Sequence, residues 1–450
     1  MVQLLRFFAT GEEQPRLTDQ REIDRQYRRN RLSVMLAITL GYGIAYTCRL
    51  GLSVVKKPLI DSGILSASDL GLIGSALLYA YALGKLTNGF LSDHANIKRF
   101  FAVGVLGSAF INLTMGRSDL LWVWIALWAL NGWFQGFGAP SGAVTLANWF
   151  SNRERGRRYG IWSTAHAFGE GLTFIGSATL VSLFGWQAGF WGPGVICLFV
   201  AVGIYYTLQD RPETLGLPSV ADWKNDHSGP VTDQGGAPMD TGKAQKLIFR
   251  IPAIWILGLA SAAMYMTRYA INSWGILYLQ EAKGYSLVEA SFLLGLNALA
   301  GILGCVAYGY ISDNLFRARR PPVTLAFGIV EIASLFVIFF SPPGHPVLLI
   351  VAFVIYGFTL SGLLAVLGGL FAIDIVPKRA AGAVMGFIGI FSYLGAGIQD
   401  QISGKLIEQG TTMVEGVRYY DFSSVVIFWT GASIVSLILA ASLWRTKVTA

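Results

Sequence analysis

The sequence predicts an all-α membrane protein in which twelve transmembrane helices form two pseudo-symmetric six-helix bundles. Three observations lead to this prediction. Aliphatic, aromatic and cysteine residues make up 54% of the 450 residues and charged residues only 13%, a balance far from that of a soluble domain. Apolar runs long enough to cross a bilayer recur along the whole chain. Short motifs of the first half also return in the second half.

Twelve apolar runs divide the chain, and each is close to the roughly 20 residues that a bilayer-spanning helix needs. The runs are 32–55, 68–92, 99–116, 120–149, 158–182, 186–207, 251–280, 286–312, 322–341, 346–373, 380–404 and 422–444. Lys and Arg are concentrated in the alternate connections on the side of both termini, which predicts cytoplasmic termini. We therefore expect a multi-pass protein of the cell inner (plasma) membrane, whose basic charge reflects topology rather than nucleic-acid binding.

Polar segments give the predicted domain boundaries. Residues 1–31 form a cytoplasmic N-terminal segment with seven arginines and five acids, and they lack the apolar core of a signal peptide. The segment 208–250, rich in Gly, Pro, Asp and Lys, is expected to be a cytoplasmic linker. It separates an N-terminal bundle, 32–207, from a C-terminal bundle, 251–444, and residues 445–450 form a cytoplasmic tail.

Two motifs occur once in each half. The loop "GFLSDHANIKR" after the second run returns as "GYISDNLFRARR" after the eighth. We expect Asp93, Arg99, Asp313 and Arg317 in these loops to brace helix ends and to stabilise one side of an alternating-access cycle. The second motif, "YTCRL" in the first run, returns as "YMTRY" in the seventh. Duplicated halves with a binding site at their interface are typical of secondary transporters.

The second motif places an arginine, Arg49 or Arg268, inside one apolar helix of each half. A guanidinium at mid-bilayer depth costs about 2.5 to 3.5 kcal/mol, so it normally faces a protein interior or an aqueous cavity and has a partner. The two arginines are therefore expected to face each other across one cavity. Their partners are either an anionic cargo or buried acids such as Glu170, Glu331 and Asp400.

Several further motifs resemble those of a known family. They are "GYGIAYTCR", "GKLTNGFLSD", "NGWFQGFGAP", "RERGRRYGIWSTAHAFG", "MYMTRYAINSWGILYL" and "RAAGAVMGFIGIFSYLGA". With them, the chain resembles the major facilitator superfamily and, within it, the organophosphate:phosphate antiporter family, especially its hexose-phosphate transporter and sensor branch. The resemblance runs from about residue 20 to about residue 440. It implies the major facilitator fold and exchange of an organophosphate, with hexose 6-phosphate as the expected cargo, for inorganic phosphate.

The resemblance also implies a set of substrate-binding residues. Arg49 and Arg268 match the two arginines with which the family binds phosphate, and the guanidinium fork suits bidentate phosphate binding. The other matching positions are Lys85, His166, Tyr42, Tyr46, Tyr265 and Tyr393. The alternative for the tyrosines and the histidine is a packing role, and the lysine is near enough to its helix end to reach the membrane surface.

Three positions depart from the family pattern. Leu50 follows the first arginine where a lysine is common, and Lys56 or Lys57 could supply the missing charge only if the helix extends that far. Ser273 stands where hexose-phosphate members often have aspartate, and Glu170 replaces a typical glycine. These changes leave the phosphate clamp intact and leave the organic part of the cargo open.

Two acids in the apolar runs are candidates for proton or charge coupling, namely Glu170 and Asp400. His166 and Glu170 are four residues apart and so share one helix face. We therefore expect Glu170 to act on His166 rather than on the cargo.

Other functions remain open at this stage. The segments "LTDQREIDRQYRR" and "ETLGLPSVADWKND" resemble the sensor of the family, so a sugar-phosphate sensor signalling to a membrane histidine kinase is one alternative. A proton-linked organic-anion transporter is another. The sequence has no nucleotide-binding loop, no metal-spaced His or Cys cluster and no nucleophile motif. We therefore expect a monomeric non-enzyme in the lipid bilayer, with no cofactor, no metal and no nucleic-acid partner.

Overall fold

The described part of the chain is folded almost entirely into helices. The structure, a computed structural model, describes residues 7–118, 120–226, 248–317, 319–376 and 381–446. Within these ranges the only sheet is a hairpin in which Thr411–Val414 pairs antiparallel with Val417–Tyr420. Two short helices, Pro212–Leu215 and Val220–Lys224, lie in the first part of the predicted linker.

Twelve spans, numbered in chain order, make up the bundle. Their helices are Gln20–Ala45 and Thr47–Asp61 (span 1), Ala67–Asp93 (span 2), Ile97–Thr114 (span 3), Leu121–Gln135 and Gly138–Trp149 (span 4), Asn152–Leu172, Thr173–Ser177 and Ala178–Phe184 (span 5), Ala188–Thr207 (span 6), Pro252–Lys283 (span 7), Leu287–Tyr310 and Ile311–Leu315 (span 8), Arg320–Phe340 (span 9), Pro346–Ala365, Val366–Leu370 and Phe371–Ile375 (span 10), Ala381–Gln409 (span 11) and Ser423–Ser442 (span 12). Eleven described helices are long and apolar enough to cross a membrane. Span 4 is the twelfth, interrupted at residues 136–137. The predicted twelve-helix fold is confirmed.

The same capping signal begins the second helix of each half. Ser66 accepts a hydrogen bond from the backbone N–H of Asp69, whose carboxylate accepts one from the N–H of Ser66. Ser286 and Glu289 repeat this capping box at the start of span 8. Such reciprocal bonds satisfy N–H groups that a helix leaves free at its first turn. The duplication seen in the loop motifs therefore extends to the opposite ends of these helices.

Close packing joins the two halves at the end of the bundle away from the chain termini, which we call the far end. Spans 2 and 11 cross there, and a Cβ on Gly404 would overlap the carbonyl oxygen of Ala67 and lie 3.1 Å from the Cα of Gly71. Span 5 packs on span 8 in the same way, since a Cβ on Gly295 would lie 2.9 Å from Ile175. Small residues allow such approach between membrane helices.

The halves separate at the other end, which we call the terminal end. Along spans 2 and 11, the Nζ of Lys85 still lies 3.9 Å from where a Cβ on Gly389 would be. One turn closer to the terminal end, a Cβ on Gly89 or Gly386 would meet nothing within 4 Å. The structure is therefore closed at the far end and open between the halves at the terminal end.

The N-terminal segment packs against the first part of the linker. The helix of span 1 begins at Gln20, twelve residues before the predicted apolar run. Tyr27 on this extension stacks on Trp223 of the linker, with ring centroids 4.0 Å apart. The indole of Trp223 donates to Asp24 at 2.7 Å. The linker is thus folded up to residue 226, and the rest of it lies outside the described residues until 248.

Candidate functional site

Arg49 lies just after the break in span 1 and is 3% exposed. Its guanidinium donates to the hydroxyl of Tyr269 at 2.8 Å and to that of Tyr46 at 3.4 Å. It also lies 4.0 Å from the ring centroid of Tyr81 and 5.5 Å from that of Tyr393. Two of these tyrosines belong to each half. Among the described residues no carboxylate forms an ion pair with Arg49, and its Nε has no hydrogen-bond partner.

Arg268 has an internal partner. Its guanidinium forms an ion pair and a hydrogen bond with the carboxylate of Glu170 in span 5. Tyr269 links the two arginines, because its hydroxyl bonds Arg49 and its ring centroid lies 5.8 Å from the guanidinium carbon of Arg268. Of the two alternatives given for the partners of the arginines, an anionic cargo or a buried acid, the structure shows the acid Glu170 for Arg268. Glu170 contacts this arginine, whereas sequence spacing assigned it to His166.

His166 lies beside the site on span 5. Its Nδ1 is 3.2 Å from the carbonyl oxygen of Ser163, and its Nε2 is 3.2 Å from the hydroxyl of Tyr42. In the neutral tautomer, Nδ1–H donates to the carbonyl and Nε2 accepts from the tyrosine. The ring of Tyr46 lies 5.3 Å from the imidazole. His166 is thus held between residues of spans 1 and 5, and Tyr46 connects it to Arg49.

The remaining predicted residues line the opposite side of the same region. Tyr265 and Tyr393 have ring centroids 5.4 Å apart. The Nζ of Lys85 lies 5.8 Å from the ring of Tyr393, on the side towards the open terminal end. The structure therefore brings all eight predicted substrate-binding residues to one region between the halves.

Sequence reasoning missed two residues of this region, Tyr81 and Tyr269. Tyr81 lies one helical turn before Lys85, and its ring is 4.7 Å from that of Tyr393. Tyr269 is the second tyrosine of "YMTRY" and occupies the place of Leu50 in the repeat. Two signals in the sequence could have found them: Tyr81 lies four residues before Lys85, and Tyr269 directly follows Arg268.

Comparison with known proteins identifies the family. The family model described as Major Facilitator Superfamily matches residues 36–399. The chain belongs to the major facilitator superfamily. It is 34% identical over 406 residues to the Membrane sensor protein UhpC of Salmonella typhimurium, covering 90% of this chain and 92% of that protein. It is 30% identical to the Glycerol-3-phosphate transporter of Bacillus subtilis over 453 residues, covering 98% of each.

These relatives confirm the organophosphate:phosphate antiporter branch within the superfamily. A Probable hexose phosphate transport protein of Chlamydia pneumoniae is 28% identical, covering 90% of this chain and 91% of that one. Among solved structures, a bacterial homolog of the human lysosomal transporter Spinster, inward-facing and unoccupied, has a TM-score of 0.70 at 17% identity. It covers 92% of this chain and 96% of that chain. This last likeness shows the major facilitator fold alone.

A second buried polar cluster joins the two halves of this major facilitator protein nearer the far end. Lys56, in the second helix of span 1, donates to Asp400 at 3.2 Å and to the hydroxyl of Ser273 at 2.7 Å. That hydroxyl donates to Asp400 at 2.7 Å, and the Nζ of Lys56 lies 3.2 Å from the ring centroid of Trp274. Asp400 therefore pairs with a lysine, and neither it nor Glu331, which contacts Ser433, pairs with an arginine of the site.

Partly exposed ion pairs lie beyond this cluster at the far end. Lys57 pairs with Glu281 of span 7 and, at 3.0 Å, with Asp61 of its own helix. Arg418 of the hairpin donates to the carbonyl oxygen of Ile60 at 2.7 Å and lies 3.9 Å from Asp61. Each of these networks connects the end of span 1 to the C-terminal half.

The repeated basic loops lie at the terminal end and differ between the halves. Asp313 pairs with Arg320, which also pairs with Asp374 of span 10 at 2.7 Å. Arg317, one of the residues expected to brace this loop, is exposed with a positive φ of 51°, and it is Arg320 that contacts Asp313 and Asp374.

In the first half the predicted bracing contact is missing from the described residues. Asp93 is exposed and forms no ion pair there. Arg99 instead donates to the carbonyl oxygen of Phe7 at 2.9 Å. The two loops therefore differ in their contacts: Asp313 forms an ion pair with Arg320, whereas Arg99 contacts a backbone carbonyl of the N-terminal segment.

Proposed function

We propose that this protein exchanges an organophosphate, with hexose 6-phosphate as the first candidate, for inorganic phosphate by alternating access. The proposal rests mainly on Arg49, whose guanidinium is buried and has no acidic partner among the described residues. It lies between the halves, with a second arginine linked to it through Tyr269. The superfamily is one of transporters, and no covalent chemistry on the cargo is proposed.

Phosphate fits the chemistry of this region. A phosphate monoester carries about −1.5 to −2 charges near neutral pH and three strong acceptor oxygens. Arginine remains charged when buried and binds phosphate with paired N–H groups. The hydroxyls of Tyr46 and Tyr269 already face Arg49 and are available to donate to the same oxygens. The bound anion would also remove most of the cost of burying the unpaired cation.

The arrangement of the halves supports the alternating-access part of the proposal. We propose that both termini are cytoplasmic, so that the open terminal end faces the cytoplasm. The buried Lys56–Asp400 pair then holds the opposite side closed, and the bracing at Arg320 belongs to the terminal end. Cargo binding between the halves would favour closure of the terminal end and release of the far-end pairs.

The test is exchange of radiolabelled phosphate into phosphate-loaded proteoliposomes. Glucose 6-phosphate, glycerol 3-phosphate and phosphoglycerate compete in parallel and rank the cargo. Arg49→Lys and Arg268→Lys keep the charge but remove the planar fork, and each is expected to abolish exchange. Arg25→Lys, at an exposed arginine of the N-terminal segment, is the matched control and should retain exchange. Exchange that survives Arg49→Lys would overturn the proposed site.

A second candidate function rests on the 34% identity to proteins named membrane sensor protein UhpC. In this case the same site would bind a sugar phosphate, and occupancy would be passed to a membrane histidine kinase. The exchange assay separates the two functions. Folded protein that binds glucose 6-phosphate but moves no phosphate would favour the sensor, whereas exchange at a steady rate would favour the carrier.

A further inference from the structure

Glu170 is the one acid that contacts an arginine of the site among the described residues. It is buried, with 6% of the residue exposed. Glu170 is on span 5 of the N-terminal half and Arg268 is on span 7 of the C-terminal half, so their ion pair joins the two halves. A carboxylate presents two oxygens to a guanidinium in the way that a phosphate does. Glu170 therefore accepts a hydrogen bond from Arg268 of the kind that a phosphate oxygen also accepts.

The groups that face Glu170 come from four spans. Arg268 is in direct contact, and His166 lies one turn earlier on the same helix. Tyr265, Tyr269 and Tyr356 lie within electrostatic range of the carboxylate.

On the side of span 1, a Cβ on Gly169, the residue before Glu170, would lie 2.6 Å from Tyr46. Arg49 donates a hydrogen bond to the hydroxyl of Tyr46 and interacts electrostatically, over a longer distance, with His166. On span 8, the apolar side chain of Leu299 would lie 3.6 Å from a Cβ on the neighbouring Gly171. Arg268 is thus the strongest partner in reach of the carboxylate.

We propose that Glu170 is a built-in counter-anion that competes with the cargo for Arg268 and couples phosphate binding to the uptake of one proton. The proposal rests on the function proposed above. It assigns a role to a residue that replaces the glycine typical of the family at this position.

The charge balance gives the reason for the proton. At the centre of the site, Arg49 and Arg268 carry two positive charges and Glu170 neutralises one of them. Lys85, the third cation of the region, is exposed towards the open terminal end, so water solvates its charge and it is left out of the balance. A phosphate dianion bound beside an ionised Glu170 would leave one excess negative charge in a region of low dielectric constant, which is costly. The balance is restored when one proton enters with the dianion and stays on Glu170, or when phosphate binds as the monoanion. Both routes add one proton per phosphate above the pH at which phosphate becomes a dianion.

The prediction concerns the slope of affinity against pH. In wild-type protein the affinity for inorganic phosphate should fall about tenfold per pH unit between pH 7.5 and 8.5, because one proton is bound with each dianion. In Glu170→Gln the two positive charges of the arginines neutralise the phosphate dianion, so no proton has to be bound with it. Its affinity should therefore be constant over this range and at least tenfold higher than wild type at pH 8.5.

The experiment is equilibrium binding of radiolabelled inorganic phosphate to the purified full-length chain at several pH values, with thermal unfolding used to confirm folding. Glu170→Asp keeps the carboxylate and should retain the slope. His166→Asn should also retain it, which separates protonation of Glu170 from protonation of the histidine. Glu331→Gln removes a buried carboxylate that contacts Ser433 rather than an arginine, and it serves as the matched control.

The outcomes separate this inference from the proposed function. If Arg49→Lys abolishes phosphate binding but wild type and Glu170→Gln share one pH slope, the role of Glu170 is refuted and the site stands. If His166→Asn alone loses the slope, the proton belongs to the histidine and the inference is likewise refuted. If phosphate binds equally well to Arg49→Lys, the proposed function itself fails.

Discussion

The buried Lys56–Asp400 pair gives the sharpest prediction about the transport cycle. Lys56 belongs to the first span and Asp400 to the eleventh, and they are 1% and 2% exposed. Because the two residues belong to opposite halves, we expect their contact to break when the far end opens. Lys56→Met keeps most of the side-chain volume and removes the charge, and Asp400→Asn is nearly isosteric. Either single change should shift the protein towards a conformation that is open at the far end.

The magnitude follows from the geometry. Two unit charges 3.2 Å apart attract each other by about 5 kcal/mol at an effective dielectric constant of about 20. Part of this attraction is offset by the desolvation cost of burying both charges. Removing one partner leaves the other charge buried without a counter-charge, which typically costs about 3 to 5 kcal/mol. A shift of about 3 kcal/mol changes the ratio of the two conformations more than a hundredfold. The double variant leaves no lone charge, so its shift should be much smaller than the sum of the single shifts.

The assay is a spin-label distance measurement across the far end. Labels at Ser62→Cys and Gln409→Cys, in a background without native cysteines, report the separation of the halves. Lys57→Met is the control, because its partly exposed ion pairs should contribute only about 0 to 1 kcal/mol. Single variants at Lys56 or Asp400 that keep the wild-type distance distribution would refute the role of this pair in closure. So would a double variant as open as both singles combined.

Three further predictions concern stability. Gly304→Ala in span 8 should lower the Tm, because the added Cβ would overlap the backbone of span 10 at a cost of about 1 to 3 kcal/mol. Gly309→Ala, also in span 8, should leave the Tm unchanged, because its Cβ would meet nothing within 4 Å. Glu331→Gln should leave the Tm unchanged or raise it, since one oxygen of this buried carboxylate has no hydrogen-bond partner among the described residues. Tyr27→Ala should speed limited proteolysis after Trp223, because it removes the aromatic stack that holds the linker. Equal Tm values for the two glycine variants, a lower Tm for Glu331→Gln or unchanged cleavage would contradict these expectations.

The sequence was sufficient for the fold and pointed to eight residues of the candidate site, but it missed Tyr81 and Tyr269. Apolar runs of fixed length and the repeated motifs specify twelve spans in two halves, and the repeat alone places Arg49 and Arg268 at equivalent positions. What it missed depends on how helices are rotated against each other. Helix spacing shows that His166 and Glu170 share a face, but it does not show which residue of span 7 that face meets. The contact between Glu170 and Arg268 therefore appears only in the structure.

Helix ends and breaks account for the other differences. The first run was expected to end at 55, whereas its helix continues to Asp61, which carries Lys56 into the interface with Asp400. The hairpin after span 11 has short strands of four residues each, and it follows directly on the helix end at Gln409. In the basic loops, three arginines follow Asp313 closely, and only the backbone path decides that Arg320 is the one that contacts it.

The asymmetry between the two arginines bears on why exchange would be obligatory. A cavity with two unpaired guanidiniums would resist closing without cargo, because each buried cation lacks a counter-charge. Here Glu170 neutralises Arg268, so among the described residues Arg49 is the one arginine of the site that lacks a counter-charge in the empty protein. One unpaired buried charge still costs several kcal/mol, enough to make movement of the empty protein slow compared with the loaded one. Glu170→Gln restores the second unpaired cation, so the variant should bind phosphate more tightly and leak less without phosphate on the opposite side. Phosphate efflux from loaded proteoliposomes into phosphate-free buffer measures this leak, and a faster leak in the variant would contradict the argument.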